Sequence, residues 1–389
     1  EETRAQRSRS TTMFGKRIDL FTLFGFTVRV DASWIFIAVL LTWSLADGVF
    51  PSSYRGLATA TYWWMGLAGT LGLFASVVVH ELSHSLVARR HGTPMQGITL
   101  FIFGGVAEMR DEPPDPKAEF LIAVVGPVTS ILLAAFCYGL ARLGDAQGWP
   151  EAVWGVLAYL ATLNLILAAF NLVPAFPLDG GRVLRSALWR WKGSLRWATR
   201  ITAGIGSGFG VLLIVLGVFA LFSGNPVGGI WWVLLGLFVR NAAGTAYQQL
   251  LLRQALSGES VRRFMQTQPV TVSRHFSLRR LVEEYIYHFH YKMFPVVDDG
   301  RLLGCVTTAQ VKTVPREEWD RQTVGAILEP CSPANSVSPD ADAMQALRQM
   351  SQTGRSRLLV VEGNRLVGLI TLKDLLRFFS SKLELEQAA

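Results

Sequence analysis

Two histidines four residues apart open the chemistry of this chain, in the run Val79-His80-Glu81-Leu82-Ser83-His84. On a helix, side chains at i and i+4 share one face, about 6 Å apart. That spacing lets a single Zn²⁺ take one ring nitrogen from each imidazole. Glu81, between them, is placed to accept a proton from a water that the metal acidifies toward a pKa of about 7, so a carboxylate suffices as base. A catalytic zinc needs a third protein ligand and one open position. The candidate is Asp179, in Asn171-Leu-Val-Pro-Ala-Phe-Pro-Leu-Asp179-Gly-Gly. Pro174 and Pro177 break a helix there and Gly180-Gly181 allows a tight turn, so the carboxylate is expected at the end of an apolar helix, pointing sideways. In a chain with only six histidines, roughly 0.004 such histidine–glutamate–histidine matches arise by chance. The alternatives are a polar packing cluster or a proton relay for the histidines and a helix cap for Asp179. His91 reads as an interfacial residue, and His275, His288 and His290 as surface or groove residues.

The elements that must carry these groups are apolar. The chain has 389 residues, 50% hydrophobic and 17% charged, against about 25% charged in an average soluble chain. Disorder and collagen-like order are excluded. Uncharged stretches run over Tyr62–Val79, Phe120–Ala141, Ala152–Leu178 and Ile201–Val239, the shortest 18 residues long. About 20 residues cross a hydrocarbon core of ~30 Å. Six spans are expected: Ala32–Phe50, Tyr62–Arg89, Phe120–Ala141, Ala152–Val173, Ile201–Phe222 and Ile230–Gln248, the last interrupted by Arg240. From Arg253 onward the composition is that of a water-soluble module.

The net charge of +8 is read as loop orientation rather than nucleic-acid binding. The 182–200 loop carries Arg182, Arg185, Arg190, Lys192, Arg196 and Arg200, and the 89–118 loop carries Arg89, Arg90, Arg110 and Lys117. Opposite them, 51–61, 144–150 and 223–229 hold only Arg55 as a basic residue. Basic loops stay cytoplasmic, which places both termini inside. Residues 1–12, before Met13, lack the apolar core of a signal peptide and read as an extension. Cys137, Cys305 and Cys331 form no pairing framework and read as reduced thiols.

Between the second and third spans, Ile98-Thr99-Leu100-Phe101-Ile102-Phe103 is β-prone, Gly104-Gly105 marks a turn or close approach, and Asp111-Glu112-Pro113-Pro114-Asp115-Pro116 breaks structure. A β-hairpin beside the spans is expected. Gly66, Gly69, Gly72, Gly204 and Gly208 are expected at close helix contacts. The soluble part contains a repeat: Phe294–Val311 aligns with Leu358–Leu375 at an offset of 64, matching Val296/Val360, Val297/Val361, Arg301/Arg365, Leu302/Leu366, Gly304/Gly368 and Thr307/Thr371. Each copy reads as strand, amphipathic helix, strand, turn, strand, helix.

The histidine motif on a transmembrane helix, joined to N-x-x-P-x-x-P-x-L-D-G-G on a later one, resembles the site-2 protease family of intramembrane zinc metalloproteases over about residues 13–250. The resemblance implies that His80, His84 and Asp179 bind zinc, that Glu81 activates water, and that Asn171 polarises or holds the scissile region. It also implies a hairpin whose strand holds substrate in extended form, which exposes a carbonyl that a helix hides in its own hydrogen bond. The repeat resembles a pair of CBS domains, with an adenine nucleotide such as ATP in the cleft. Their ribose-contacting pattern is kept in Gly368-Leu-Ile-Thr371-Leu-Lys-Asp374, while in Gly304-Cys-Val-Thr307-Thr-Ala-Gln310 the acid is replaced by Gln310. At most one good nucleotide site, at Thr371 and Asp374, is therefore implied; the alternative is a structural pair that makes a homodimer. No PDZ-like insertion is visible.

The expectation is a polytopic α-helical membrane protein with six transmembrane helices and a small β-hairpin or sheet near the active site, followed by an α/β cytoplasmic CBS pair. The expected boundaries are a partly β segment at 1–30, a protease core at 31–250 and CBS domains at 256–318 and 319–383. Its expected function is zinc-dependent cleavage of a transmembrane helix of another protein in regulated intramembrane proteolysis, with anti-sigma factors and signal-peptide remnants among such substrates. Its surroundings would be the lipid bilayer of the cell membrane, and nucleic acid is not an expected partner. The competing readings are a transporter or channel gated by its CBS pair, and a catalytically dead scaffold.

Overall fold

In lipid, a backbone must satisfy its own hydrogen bonds, so apolar stretches of this length can only be helices or closed barrels. The structure, a computed structural model, describes residues 17–93, 95–101, 104–109 and 112–387. Met13, Ile102, Phe103, Arg110, Asp111 and the extension at 1–12 lie outside the described residues. Six helices are long and apolar enough to cross a membrane: α1 (Ala32–Ser53), α2 (Thr59–Arg90), α3 (Pro116–Ala146), α4 (Glu151–Asn171), α6 (Leu195–Phe222) and α7 (Pro226–Leu256). Between α4 and α6 lies a shorter helix, α5 (Asp179–Lys192). Only 17% to 44% of each apolar window is buried in protein. The outward remainder, including Phe136, Phe219 and Phe222, is what lipid would cover. α2 is the most buried of the six, at 44%.

Helix ends follow their side chains. Asp31 caps α1 by accepting from the Ser33 amide at 3.0 Å, and Asp115 caps α3 by accepting from the Ala118 amide at 2.9 Å, with Pro116 opening the helix. Gly193, left-handed at φ 67°, ends α5, and the next residue, Ser194, caps α6.

Several expectations change. The 182–200 segment is not a loop: its first eleven residues continue α5, and α6 starts at Leu195. Four of its basic residues therefore lie on an amphipathic helix. Asp179 does not end the fourth span, which stops at Asn171; it begins α5 after an irregular stretch. Gly180 and Gly181 do not turn the chain; they are helical, and a Cβ on either would overlap the backbone of 172–176. The sixth span runs unbroken through Arg240. Gly204 and Gly208 face open space, whereas Gly206, Gly210 and Gly217 on the opposite side of α6 make the close contacts.

The hairpin belongs to a larger sheet. β1 (Arg17–Leu23), β2 (Phe26–Asp31), β3 (Met95–Phe101) and β4 (Gly104–Met109) pair in the order β1-β2-β3-β4, antiparallel except for the parallel β2–β3 contact. Val28, Val30, Ile98 and Leu100 pack with Leu82 of α2 in one apolar cluster. The sheet is thus seated on the helix that carries His80 and His84.

The chain divides into two compact units at Leu250/Leu251. In the second, β5 (Met293–Asp298) and β6 (Arg301–Thr307) stand 64 residues before β9 (Arg357–Glu362) and β10 (Arg365–Thr371), so the sequence repeat is a structural one residue for residue. The sheets are completed by β7 (Glu329–Pro330) and β8 (Ser336–Val337), and α8 (Ala343–Thr353) and α9 (Leu372–Gln387) complete the second copy. Cys305 and Leu369, equivalent positions, meet in an apolar cluster shared by the copies.

All three cysteines are free thiols. Burial, with Glu329 adding to it, pushes the Cys305 thiol up to about 11, whereas Cys331 is exposed. Because the thiolate is the reactive form, Cys331 should react with a maleimide in the native protein while Cys305 waits for denaturant. Peptide mapping of the alkylated protein reads this, and equal labelling of both would contradict the placement of Cys305.

Candidate metal centre

The apolar face of α2 places His80 and His84 one turn apart and nearly sequestered, 3% and 4% exposed. A buried imidazole needs a partner for each nitrogen. The Nδ1 of His84 donates to the Ile122 carbonyl at 2.5 Å, and the Nδ1 of His80 lies 2.9 Å from the Ser130 hydroxyl. Both partners are on α3. With the Nδ1 atoms engaged, both Nε2 atoms turn inward, 3.2 Å apart.

Asp179 arrives from the other side. It opens α5, where the N-terminal end of the helix dipole favours a carboxylate, and its Oδ2 is 3.2 Å from the Nε2 of His80 and 3.2 Å from that of His84. Three ligand atoms therefore form a nearly equilateral triangle of 3.2 Å edges. Tetrahedral zinc with bonds of about 2.0–2.2 Å holds neighbouring ligands roughly 3.3–3.6 Å apart. The triangle fits one face of that tetrahedron and leaves the fourth position for a non-protein ligand.

The chemistry of the donors agrees. A carbonyl only accepts, so His84 must carry its proton on Nδ1, and its Nε2 offers a lone pair to a carboxylate unless a second proton or a metal cation stands there. The site calls for positive charge at its centre. Among the described residues, His80, His84 and Asp179 are the one group of three ligand types close enough to share an ion, all their ligand atoms lying within 4.8 Å of one another.

Glu81 projects beside this triangle. Among the described residues no hydrogen bond occupies its carboxylate, and the backbone of β4 passes close by: a Cβ on Gly105 would stand 2.8 Å from the Glu81 Cγ. Glycine is what lets the strand approach. Asn171 closes α4 and makes no hydrogen bond to the triangle among the described residues.

Three contributors carry no signal in the histidine motif. Ser130 and the Ile122 carbonyl orient the rings, and Gly126 makes room for them: a Cβ there would overlap the His84 ring and crowd His80. Glu119, Ile122, Gly126 and Ser130 fall at i, i+3, i+7 and i+11, one face of α3. Small or polar residues at three of these four positions, Glu119, Gly126 and Ser130, in an otherwise apolar span are the signal that marks that face.

In the second unit, Asp374 Oδ2 accepts from the Thr371 hydroxyl at 2.6 Å and its amide at 3.1 Å, and the Asp374 amide donates back to the hydroxyl at 3.2 Å. In the first copy Gln310 and Thr307 make the same reciprocal cap. The Asp-to-Gln difference between copies leaves this local role intact.

Residues 68–146 and 140–217 match the model of peptidase family M50, and 261–315 and 324–381 each match that of the CBS domain. The chain is similar to a Mycobacterium tuberculosis protein named zinc metalloprotease Rip3, 36% identical over 92% of both chains. It is 30% identical to a zinc metalloprotease of Methanocaldococcus jannaschii, over 93% of this chain and 96% of that one. Among solved structures, a site-2 protease from Methanocaldococcus jannaschii is 31% identical, covers 59% of this chain and 94% of its own, and superposes with a TM-score of 0.42.

Two substitutions on α3 probe the centre. Gly126→Ala should abolish zinc retention, because the added methyl occupies the space of the His84 ring. Ser130→Ala should weaken zinc binding about tenfold by releasing the His80 ring. Metal analysis of the purified variants beside wild type checks both, and a full zinc complement in Gly126→Ala would contradict the packing described.

Proposed function

The chain belongs to peptidase family M50, the site-2 proteases, and from that premise we propose that it cleaves a peptide bond in or near a transmembrane helix of another membrane protein. The observation that supports this reading is the 3.2 Å triangle of His80, His84 and Asp179 with Glu81 beside it. In this proposal the three residues of the triangle hold zinc. Bound there, the ion supplies Lewis acidity toward water and the scissile carbonyl. Glu81 is the general base: it takes the proton of the attacking water and returns it to the departing amine. Asn171 holds the scissile region. The sheet order leaves β4 at an edge, and a substrate segment added as the next strand would be extended, with its carbonyls out of helical hydrogen bonds and close to Glu81.

Similarity to named zinc metalloproteases over more than nine-tenths of the chain favours this reading over the transporter or channel alternative. The proposal further places both termini in the cytoplasm, from the basic loops, and takes the substrate class to be trimmed single-pass proteins such as anti-sigma factors or signal-peptide remnants. The CBS pair, as a homodimer or within one chain, would bind an adenine nucleotide at Thr371 and Asp374 and set the protease rate.

Glu81→Gln should reduce cleavage of a cognate substrate by at least about a thousandfold, the upper part of what a general base supplies, while zinc content stays at one ion per chain. Unchanged turnover would remove Glu81 as the base. Nucleotide control is tested separately, by ATP titration of wild type and of Asp374→Ala. A rate or binding response lost in the variant supports it, and no response in wild type refutes it.

A further inference from the structure

Among the described residues of the first unit, a buried ion pair lies between the helix that orients the imidazoles and the helix that carries Asp179, with Arg182 of the same helix 3.9 Å from the same carboxylate. Glu119, in the first turn of α3, is fully buried, and Arg185 on α5 is 4% exposed. Arg185 Nε donates to Glu119 Oε1 at 2.6 Å, and Nη2 pairs with the same oxygen. Arg185 also reaches the Glu112 carboxylate at 3.2 Å and the Thr199 hydroxyl on α6 at 3.5 Å. Its guanidinium lies 5.2 Å from the centre of the Phe176 ring, three residues before Asp179. On the far side of that stretch, Gly206 of α6 touches the Phe176 carbonyl so closely that a Cβ would overlap it.

Stability alone accounts poorly for this arrangement. Removing two charges from water costs several kcal/mol per ion, and a well-packed apolar pair of similar volume often serves as well or better. The pair is not even fully satisfied: Glu119 Oε2 is buried and has no hydrogen bond among the described residues. What directional bonds add over apolar packing is a fixed rotation and depth of one helix against another. α5 has 14 residues, does not span the membrane and holds Asp179 at its first position. A metal centre tolerates ligand displacements of only about 0.2 Å, which a slight turn of α5 would exceed.

We propose that Glu119 and Arg185 are positioning residues for the metal centre: their bonds lock α5 to α3 and so hold the Asp179 carboxylate against the two imidazoles that α3 orients. This rests on the metalloprotease reading, with zinc as the ion. Arg185→Lys keeps the charge but loses the fork that reaches Glu119 and Thr199 together. Glu119→Gln combined with Arg185→Met removes both fully buried charges and leaves only Arg182 and Glu112, whose side chains are 12% and 32% exposed and reach water.

The test uses the full chain in detergent and reads zinc affinity by chelator competition, beside the thermal midpoint of the zinc-free protein. Arg185→Lys should lose about tenfold in zinc affinity, the scale of other groups that orient metal ligands. The double variant should melt close to wild type yet stay about tenfold weaker for zinc. Wild-type affinity in a folded Arg185→Lys, or affinity that returns together with stability in the double variant, would overturn the proposal and leave the protease reading standing. Wild type that binds no zinc would overturn both, whereas a Glu81→Gln protein that still cleaves would overturn the assigned base alone.

Discussion

Three hydrogen-bond acceptors meeting inside an apolar bundle is the constraint from which the rest of this molecule follows. Two imidazole nitrogens and a carboxylate oxygen at mutual distances of 3.2 Å repel one another unless positive charge lies between them, and low surrounding polarity makes that requirement stronger. Bringing them together also costs the burial of a carboxylate. A divalent cation would offset both terms at once, and in the proposed reaction it would leave an electrophilic centre beside Glu81 as the proposed base.

The arrangement depends on one face of α3. Along it, Glu119 bonds the helix that carries Asp179, the Ile122 carbonyl fixes His84, Gly126 opens space for both rings, and the Ser130 hydroxyl meets His80. The four-stranded sheet is anchored to the opposite partner, α2, through Leu82, and brings the bare backbone of Gly105 to Glu81. Helix and sheet thus approach the same turn of α2 from two sides, one meeting the two imidazoles and the other Glu81.

What could be read from sequence divides along physical lines. The histidine pair is local, set by helical spacing alone, and the membrane spans are set by length and hydropathy, so both are legible. The repeat is legible because several of its matched positions are strand residues that pack in one shared apolar cluster, as Leu302 and Leu366 do. The helix α5 is not: Arg182, Arg185, Arg190 and Lys192 give it the charge of a loop, and Arg185 is buried only because Glu119, 66 residues earlier, meets it. The contribution of Ile122 is a backbone carbonyl and leaves no trace in residue type. Gly126 and Ser130 do leave one, a helical periodicity of small and polar residues, whose meaning depends on knowing which helix they face.

The most direct test of the central claim is X-ray absorption at the zinc edge on purified wild-type protein, beside Asp179→Asn. The account predicts about one zinc per chain with two imidazoles and further oxygen ligands at about 2.0–2.2 Å and no sulfur, and a changed or depleted shell in the variant. A shell containing sulfur, or one identical in the two proteins, would contradict it.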